Sequence, residues 1–298
     1  MGVNILLHNY CNRVNIILQK YFSTLPFKNT SLVKAMEYAT LLGGKRLRPL
    51  LVYATGNMLG AEDQILDIPA AAIECMHAYS LLHDDLPAID NENLRRGQIT
   101  CHRKFGEDIA ILAGDALQTL SYSILVNAPM PGVIIENRLE MLSELTHASG
   151  VTGMCGGQAL DLIAKDKNMT LNELERVHRY KTGSLMRAAV RLGALTTGDA
   201  GRSIIPVLDR FSNAIGLAFQ IQNDMLDVIG HLKILGKNPG SDQLLGKSTY
   251  PTLIGVSNTQ VKIQDLYKTS LRELAFLSEQ KYNTTMLKAL ASFIIQCN

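Results

Sequence analysis

The sequence predicts an all-α protein, and three features carry that prediction. Apolar residues recur at spacings of three and four, strict alternation is rare, and Gly or Pro clusters separate long periodic segments. The pattern places helices over roughly 3–21, 30–60, 69–86, 107–126, 133–156, 171–195 and 201–229, then a further set between about 251 and 296. The first is an aliphatic stretch broken by His8, Asn9, Asn12 and Arg13, so it lacks the basic start and unbroken apolar run of a secretory signal. The second contains LLGGKRLRPLL; the third starts near Pro69 and stops before Pro87. Segment 171–195 carries HRYKTGS in its middle, and 201–229 ends in QIQNDMLDVIG. Residues 231–251 are Gly-rich and form the longest irregular stretch, the kind of loop that is functional in compact domains. No linker, fixed-period repeat or low-complexity segment interrupts the 298 residues, which predicts a single domain over 1–298.

The composition excludes several classes. A hydrophobic content of 47 % with 19 % charged residues is that of a globular protein, and a net charge of +2 with mixed signs gives no nucleic-acid-binding tail. The five cysteines are odd in number, scattered and without a CxxC pair, which argues against a disulfide framework and a zinc site and predicts a reducing cytoplasmic setting. No run of 18 apolar residues is free of charge, so stable membrane insertion is not expected.

Two acidic clusters stand out. AYSLLHDDLPAIDNENLRRG presents Asp84 and Asp85 at the end of an apolar helix, Asp90 after four intervening residues, and then Arg95 and Arg96. Anions at a helix C-terminus oppose the macrodipole and call for a compensating cation. Hard oxygens beside a basic pair suit Mg²⁺ bridging to a phosphate, because Mg²⁺ keeps waters and takes few carboxylates. A solvated acidic turn is the plain alternative. The second cluster, Gln220, Asn223, Asp224 and Asp227, falls within about 100° of one helix face. Basic residues form a matching set: Lys45 and Arg48 three apart after Gly43-Gly44, Lys181 beside Thr182, and Lys237 and Lys247 in the Gly-rich stretch. Their number exceeds what the carboxylates need and implies an external polyanion.

GGKRLRP, HDDxxxxDxxxxRRG, GGQxxD, KTG, FQxxxDxxD and LGKxxGxDxxxGKxTYP occur in this order. Through these motifs, from about Leu25 to Gln296, the chain resembles the short-chain trans-isoprenyl diphosphate synthases, most closely the bacterial farnesyl diphosphate synthases. The resemblance implies a helical bundle around a deep cavity, a homodimer, and up to three Mg²⁺ ions. It implies that Asp84, Asp85 and Asp90 hold metal against an allylic diphosphate, with Asn223, Asp224 and Asp227 on the opposite wall. It assigns Arg95, Lys181, Lys237 and Lys247 to that diphosphate and Lys45, Arg48, His77 and Arg96 to isopentenyl diphosphate. Thr182 and Gln220 would orient the reacting ends, with Gln158 and Asp161 as a wall. Tyr79, five residues before Asp84 and thus about 7.5 Å down the helix, would floor the cavity and stop growth at fifteen carbons. An ordinary core aromatic is the alternative there.

The chain departs from the family at Asn223, where the second motif begins with Asp, and at His231, a position often Asp. Asn223 keeps a carbonyl oxygen but loses a charge. At about 4 Å and an effective dielectric near 20, a unit pair interacts by roughly 4 kcal/mol. A residue of about 3 kcal/mol after desolvation slows a reaction about a hundredfold. One weakened Mg²⁺ site and lowered turnover are therefore expected. Competing readings are a noncatalytic homologue, a geranyl or geranylgeranyl diphosphate synthase, and a di-iron bundle using Glu74-x-x-His77, Glu144-x-x-His147 and Glu175-x-x-His178.

Overall fold

Pro69 lies inside a helix, not at its start. In the computed structural model, which describes residues 3–165, 167–229 and 247–296, that helix begins six residues earlier. The chain runs α1 (Val3–Thr24), α2 (Ser31–Leu41), α3 (Leu47–Met58) and α4 (Asp63–Asp84), then a two-residue antiparallel hairpin, β1 (Leu94–Arg95) with β2 (Gln98–Ile99). It continues through α5 (Cys101–Phe105), α6 (Glu107–Asn127), α7 (Ile135–Ser149), α8 (Met154–Ile163) and α9 (Leu171–His178). A wide π-type turn, Arg179–Gly183, joins α9 to α10 (Ser184–Leu195), followed by α11 (Asp199–Ile229). After residues 230–246 come α12 (Tyr250–Ile254), α13 (Val256–Glu279) and α14 (Thr285–Gln296). Lys237 and His231 lie outside the described residues.

Two of the long helices expected from periodicity are divided. Residues 30–60 form α2 and α3, because Gly43, Gly44 and Arg46 adopt φ values of 92°, 118° and 50° between them. Such left-handed backbone ends a helix and is cheapest at glycine. Residues 133–156 likewise part at 150–153, separating α7 from α8. Conversely, α9 is started by a capping box in which the Thr170 hydroxyl accepts from Glu173 N and the Glu173 carboxylate accepts from Thr170 N.

α4 sits at the centre, packed on α3, α6 and α10, while α10 also meets α7 and α11. The main core joins Leu50, Leu51, Ile73, Met76, Leu117, Leu192 and Phe211, all buried. Full burial of such a side chain stabilises by about 1.5–3 kcal/mol. A second cluster, Leu174, Leu217, Ile221, Met225, Tyr250 and Ile263, supports the C-terminal half of α11. Among the described residues, α4 and α6 are long and apolar enough to cross a membrane. The apolar stretch of α4 is largely enclosed by its neighbours; α6 packs on α4 but leaves Ile111, Leu112 and Val126 exposed.

Candidate active site

The anions at the end of α4 find their cations on distant segments. Arg95, on the hairpin, places Nε and Nη2 2.8 and 2.5 Å from Asp85 Oδ1. Lys181 Nζ, in the π-type turn, lies 2.8 Å from Asp161 Oδ2 and 3.8 Å from Asp84 Oδ2. Lys247 Nζ lies 3.0 Å from Asp90 and 3.7 Å from Asp161. Two ammonium groups and three carboxylates thus form one lattice. Burial pushes the Asp84 carboxyl up despite Lys181, a sign of how little solvent reaches it. Burial also disfavours charge on Lys181, yet Asp84 and Asp161 outweigh it and keep the ammonium protonated.

The turn reaches this position through a close backbone approach. At Gly157, in the GGQ segment of α8, a Cβ would come within 2.2 Å of Lys181 N. Only glycine lets α8 and the π-type turn touch there. A π-type turn adds a residue to the helical path and re-aims the side chains it carries, a device common at functional sites.

The second acidic cluster is tied to the same segments. Asp224 is 3 % and Asp227 2 % exposed. His178 Nε2, just before the π-type turn, donates to Asp224 Oδ2 at 2.9 Å. Tyr250 N, three residues after Lys247, donates to the same oxygen at 3.1 Å. Gln220 Nε2 donates to Asp224 Oδ1 at 3.3 Å, while Gln220 Oε1 accepts from the Thr182 hydroxyl at 2.9 Å. Residues 178–182 and 247–250 therefore each touch both acidic motifs. Asn223 is half-buried on the same helix face.

A third group carries unneutralised charge. Arg46 pairs with buried Glu74, but among the described residues Arg48 Nη1 donates to His77 Nε2 alone, at 3.2 Å. Since Arg only donates, His77 Nε2 must be the bare nitrogen, which puts the proton on Nδ1. Among the described residues, Nδ1 of His77, Nε of Arg48 and Nε2 of Gln158 are buried and find no hydrogen-bond partner. Burial, then Arg48 and Arg96, push His77 well below its ordinary value, and burial lowers Arg48 to about 10. Arg96 donates to the carbonyl of Gly43, and a Cβ at Gly44 would collide with its guanidinium. Lys45 is exposed beside them.

The polyprenyl synthetase family profile matches residues 29–283. The chain is 58 % identical over 286 residues to farnesyl diphosphate synthase of Escherichia coli K12, covering 96 % of each. The chain belongs to the polyprenyl synthetase family. Among solved structures, a geranyltransferase from Legionella pneumophila superposes with a TM-score of 0.87 at 31 % identity, covering 98 % of this chain and 96 % of that one. A geranyltransferase from Helicobacter pylori, complexed with magnesium and isoprenyl diphosphate, gives 0.85 at 30 %, covering 99 % and 97 %.

Membership in the polyprenyl synthetases removes the di-iron reading, and so does the geometry. Glu74 is committed to Arg46, Glu144 to Arg191, and Glu175 to Arg179 and the Tyr250 hydroxyl. His178 serves Asp224 instead of joining Glu175 on a metal. The roles of His178 and Tyr250 escaped the sequence reading. Their signals were present, since His178 precedes the KTG motif by three residues and Tyr250 closes the KxTYP motif. Tyr79 is half-buried, with its hydroxyl 3.5 Å from Cys155 Sγ.

Proposed function

We propose that this polyprenyl synthetase is a farnesyl diphosphate synthase, condensing dimethylallyl and then geranyl diphosphate with isopentenyl diphosphate. The observation that carries the reading is the presence of two separate cation groups. Lys181 and Lys247 pair with carboxylates, whereas among the described residues Arg48 meets His77 and Arg96 meets the Gly43 carbonyl, and neither forms an ion pair with a carboxylate. A reaction joining two diphosphates needs two such sites; a hydrolase or cyclase needs one.

Asp84, Asp85 and Asp90, with Asn223, Asp224 and Asp227, would hold Mg²⁺, and hard oxygen donors amid phosphate-binding cations fit that ion. Bound there, Mg²⁺ neutralises charge on the allylic diphosphate. Arg95 fixes Asp85, and His178, Tyr250 N and Gln220 fix Asp224, so these two carboxylates need no reorganisation when charge develops. Lys181, Lys247 and Lys237 take up the negative charge as the C–O electron pair leaves with diphosphate. Arg48, Arg96, Lys45 and neutral His77 hold isopentenyl diphosphate so that its double bond attacks the allylic carbon. A C–C bond forms, and a proton passes from the isopentenyl unit to the departing diphosphate. Thr182, Gln220 and Gln158 orient the reacting ends, and Tyr79 ends the hydrocarbon channel.

The protein acts in the cytoplasm as a homodimer. The described cysteines are free thiols, which supports a reducing compartment. Ile111 and Leu112 on α6, Leu139 on α7, and Ile134 and Ile135 at its start are exposed apolar side chains, which supports pairing with a second copy. Incubation with geranyl and isopentenyl diphosphates plus Mg²⁺ should yield the fifteen-carbon diphosphate as main product. A ten- or twenty-carbon main product would replace the assignment, and absence of product would favour a noncatalytic homologue.

A further inference from the structure

The Tyr79 side chain is braced by α8 and by His83, one turn further along its own helix α4. Its hydroxyl lies 3.5 Å from Cys155 Sγ on α8. Its ring meets the His83 imidazole edge-on, with centroids 4.9 Å apart. His83 is itself held, because Nε2 lies 3.0 Å from the Ile111 carbonyl on α6, which can only accept. The imidazole also occupies the space at Gly114, where a Cβ would come within 2.1 Å of it. Cys155 lies two residues before Gly157, whose contact with Lys181 N fixes α8 against the π-type turn. The sulfur that meets Tyr79 is thus set by the contact that sets Lys181.

We propose that Cys155 is a specificity-determining residue: its thiol latches the Tyr79 hydroxyl across the end of the hydrocarbon channel and so enforces the fifteen-carbon limit. The inference rests on the reading of Tyr79 as the channel floor. A tyrosine on one helix has more than one staggered rotamer open to it, and a growing chain presses on the ring. His83 restrains the ring, and among the described residues the hydroxyl end is held by hydrogen bonding to Cys155 alone. Loss of that contact raises the population of the displaced rotamer about fivefold, the factor a single net hydrogen bond carries.

The test compares Cys155→Ala, Cys155→Ser, Tyr79→Phe and Tyr79→Ala with the unmodified protein, using geranyl diphosphate, excess isopentenyl diphosphate and Mg²⁺. Products are separated by chain length and thermal melts are recorded. Cys155→Ala and Tyr79→Phe should each raise the twenty- to fifteen-carbon ratio about fivefold without moving the melt appreciably, since each removes the same bond from one side. Cys155→Ser keeps a hydrogen-bonding atom and should keep the ratio. Should Cys155→Ala fail to fold, Tyr79→Phe still reads the bond. If Tyr79→Ala lengthens the product while Cys155→Ala and Tyr79→Phe do not, the latch is overturned and the floor stands. If Tyr79→Ala leaves the product unchanged, the floor reading fails and takes the latch with it. A Cys155→Ser variant that leaks like Cys155→Ala reduces the contact to packing and also overturns the proposal.

Discussion

Lys247 Nζ lies 3.0 Å from each carboxylate oxygen of Asp90, across 157 residues of sequence. The contact joins the first acidic motif to the segment whose Tyr250 N–H meets Asp224 in the second. If Lys247 serves the leaving diphosphate, Lys247→Ala should lower kcat/KM for geranyl diphosphate by about 10²–10³, the loss typical of one donor to developing charge. Its thermal melt should fall as well, because the Lys247 side chain is only 14 % exposed and its loss leaves the Asp90 carboxylate buried without this partner. Steady-state kinetics with each substrate varied in turn will separate this from damage to the isopentenyl site.

Asn223→Asp should restore a charge to the half-buried start of the second motif. The expected outcome is higher turnover, or a lower Mg²⁺ concentration at half-maximal rate, by up to about a hundredfold. A magnesium titration of both proteins checks it. Superimposable curves would show that the amide is not what limits metal binding.

His77 provides a pH dependence of stability. Burial, then Arg48 and Arg96, hold its folded-state value well below the ordinary imidazole range. Below a pH of about 6.5 the unfolded chain takes up a proton that the folded chain refuses. Stability from this group is therefore present above that pH and declines as pH falls, by about 1.4 kcal/mol per pH unit at most. Urea unfolding between about pH 7 and pH 5 should be steeper in pH for the unmodified protein than for His77→Gln, which keeps an acceptor for Arg48. Equal slopes would mean that His77 titrates normally.

What was legible in the sequence follows from how local each feature is. Helical periodicity is local, and it located α6 and α11 to within a few residues, while its segment 171–195 runs from the start of α9 through the π-type turn to the end of α10. It missed the breaks at Gly43–Arg46 and at 150–153, because flanking apolar residues keep the period while only a few backbone angles change. It also placed the start of α4 at Pro69, six residues late, since proline normally marks a first turn and here sits in the interior. The acidic and basic motifs were readable as residue types, and Asp84, Lys181 and Asp161 do meet. Their pairing was not readable. That Lys247 takes Asp90, that Tyr250 gives a backbone N–H to Asp224, and that Gly157 admits the Lys181 backbone are contacts between remote segments. His178 was visible only as part of a Glu-x-x-His spacing, which helices produce readily and which here holds no metal ligand pair.

The central claim is that the two aspartate motifs act on one diphosphate. A crystal structure with Mg²⁺ and a non-ionising allylic thiodiphosphate tests it most directly. The account predicts metal density between the headgroup and oxygens of both the Asp84–Asp90 and the Asn223–Asp227 clusters, with Lys181 and Lys247 turned from their carboxylates onto the phosphates. A headgroup seated away from these residues, or metal bound to one cluster alone, would contradict it.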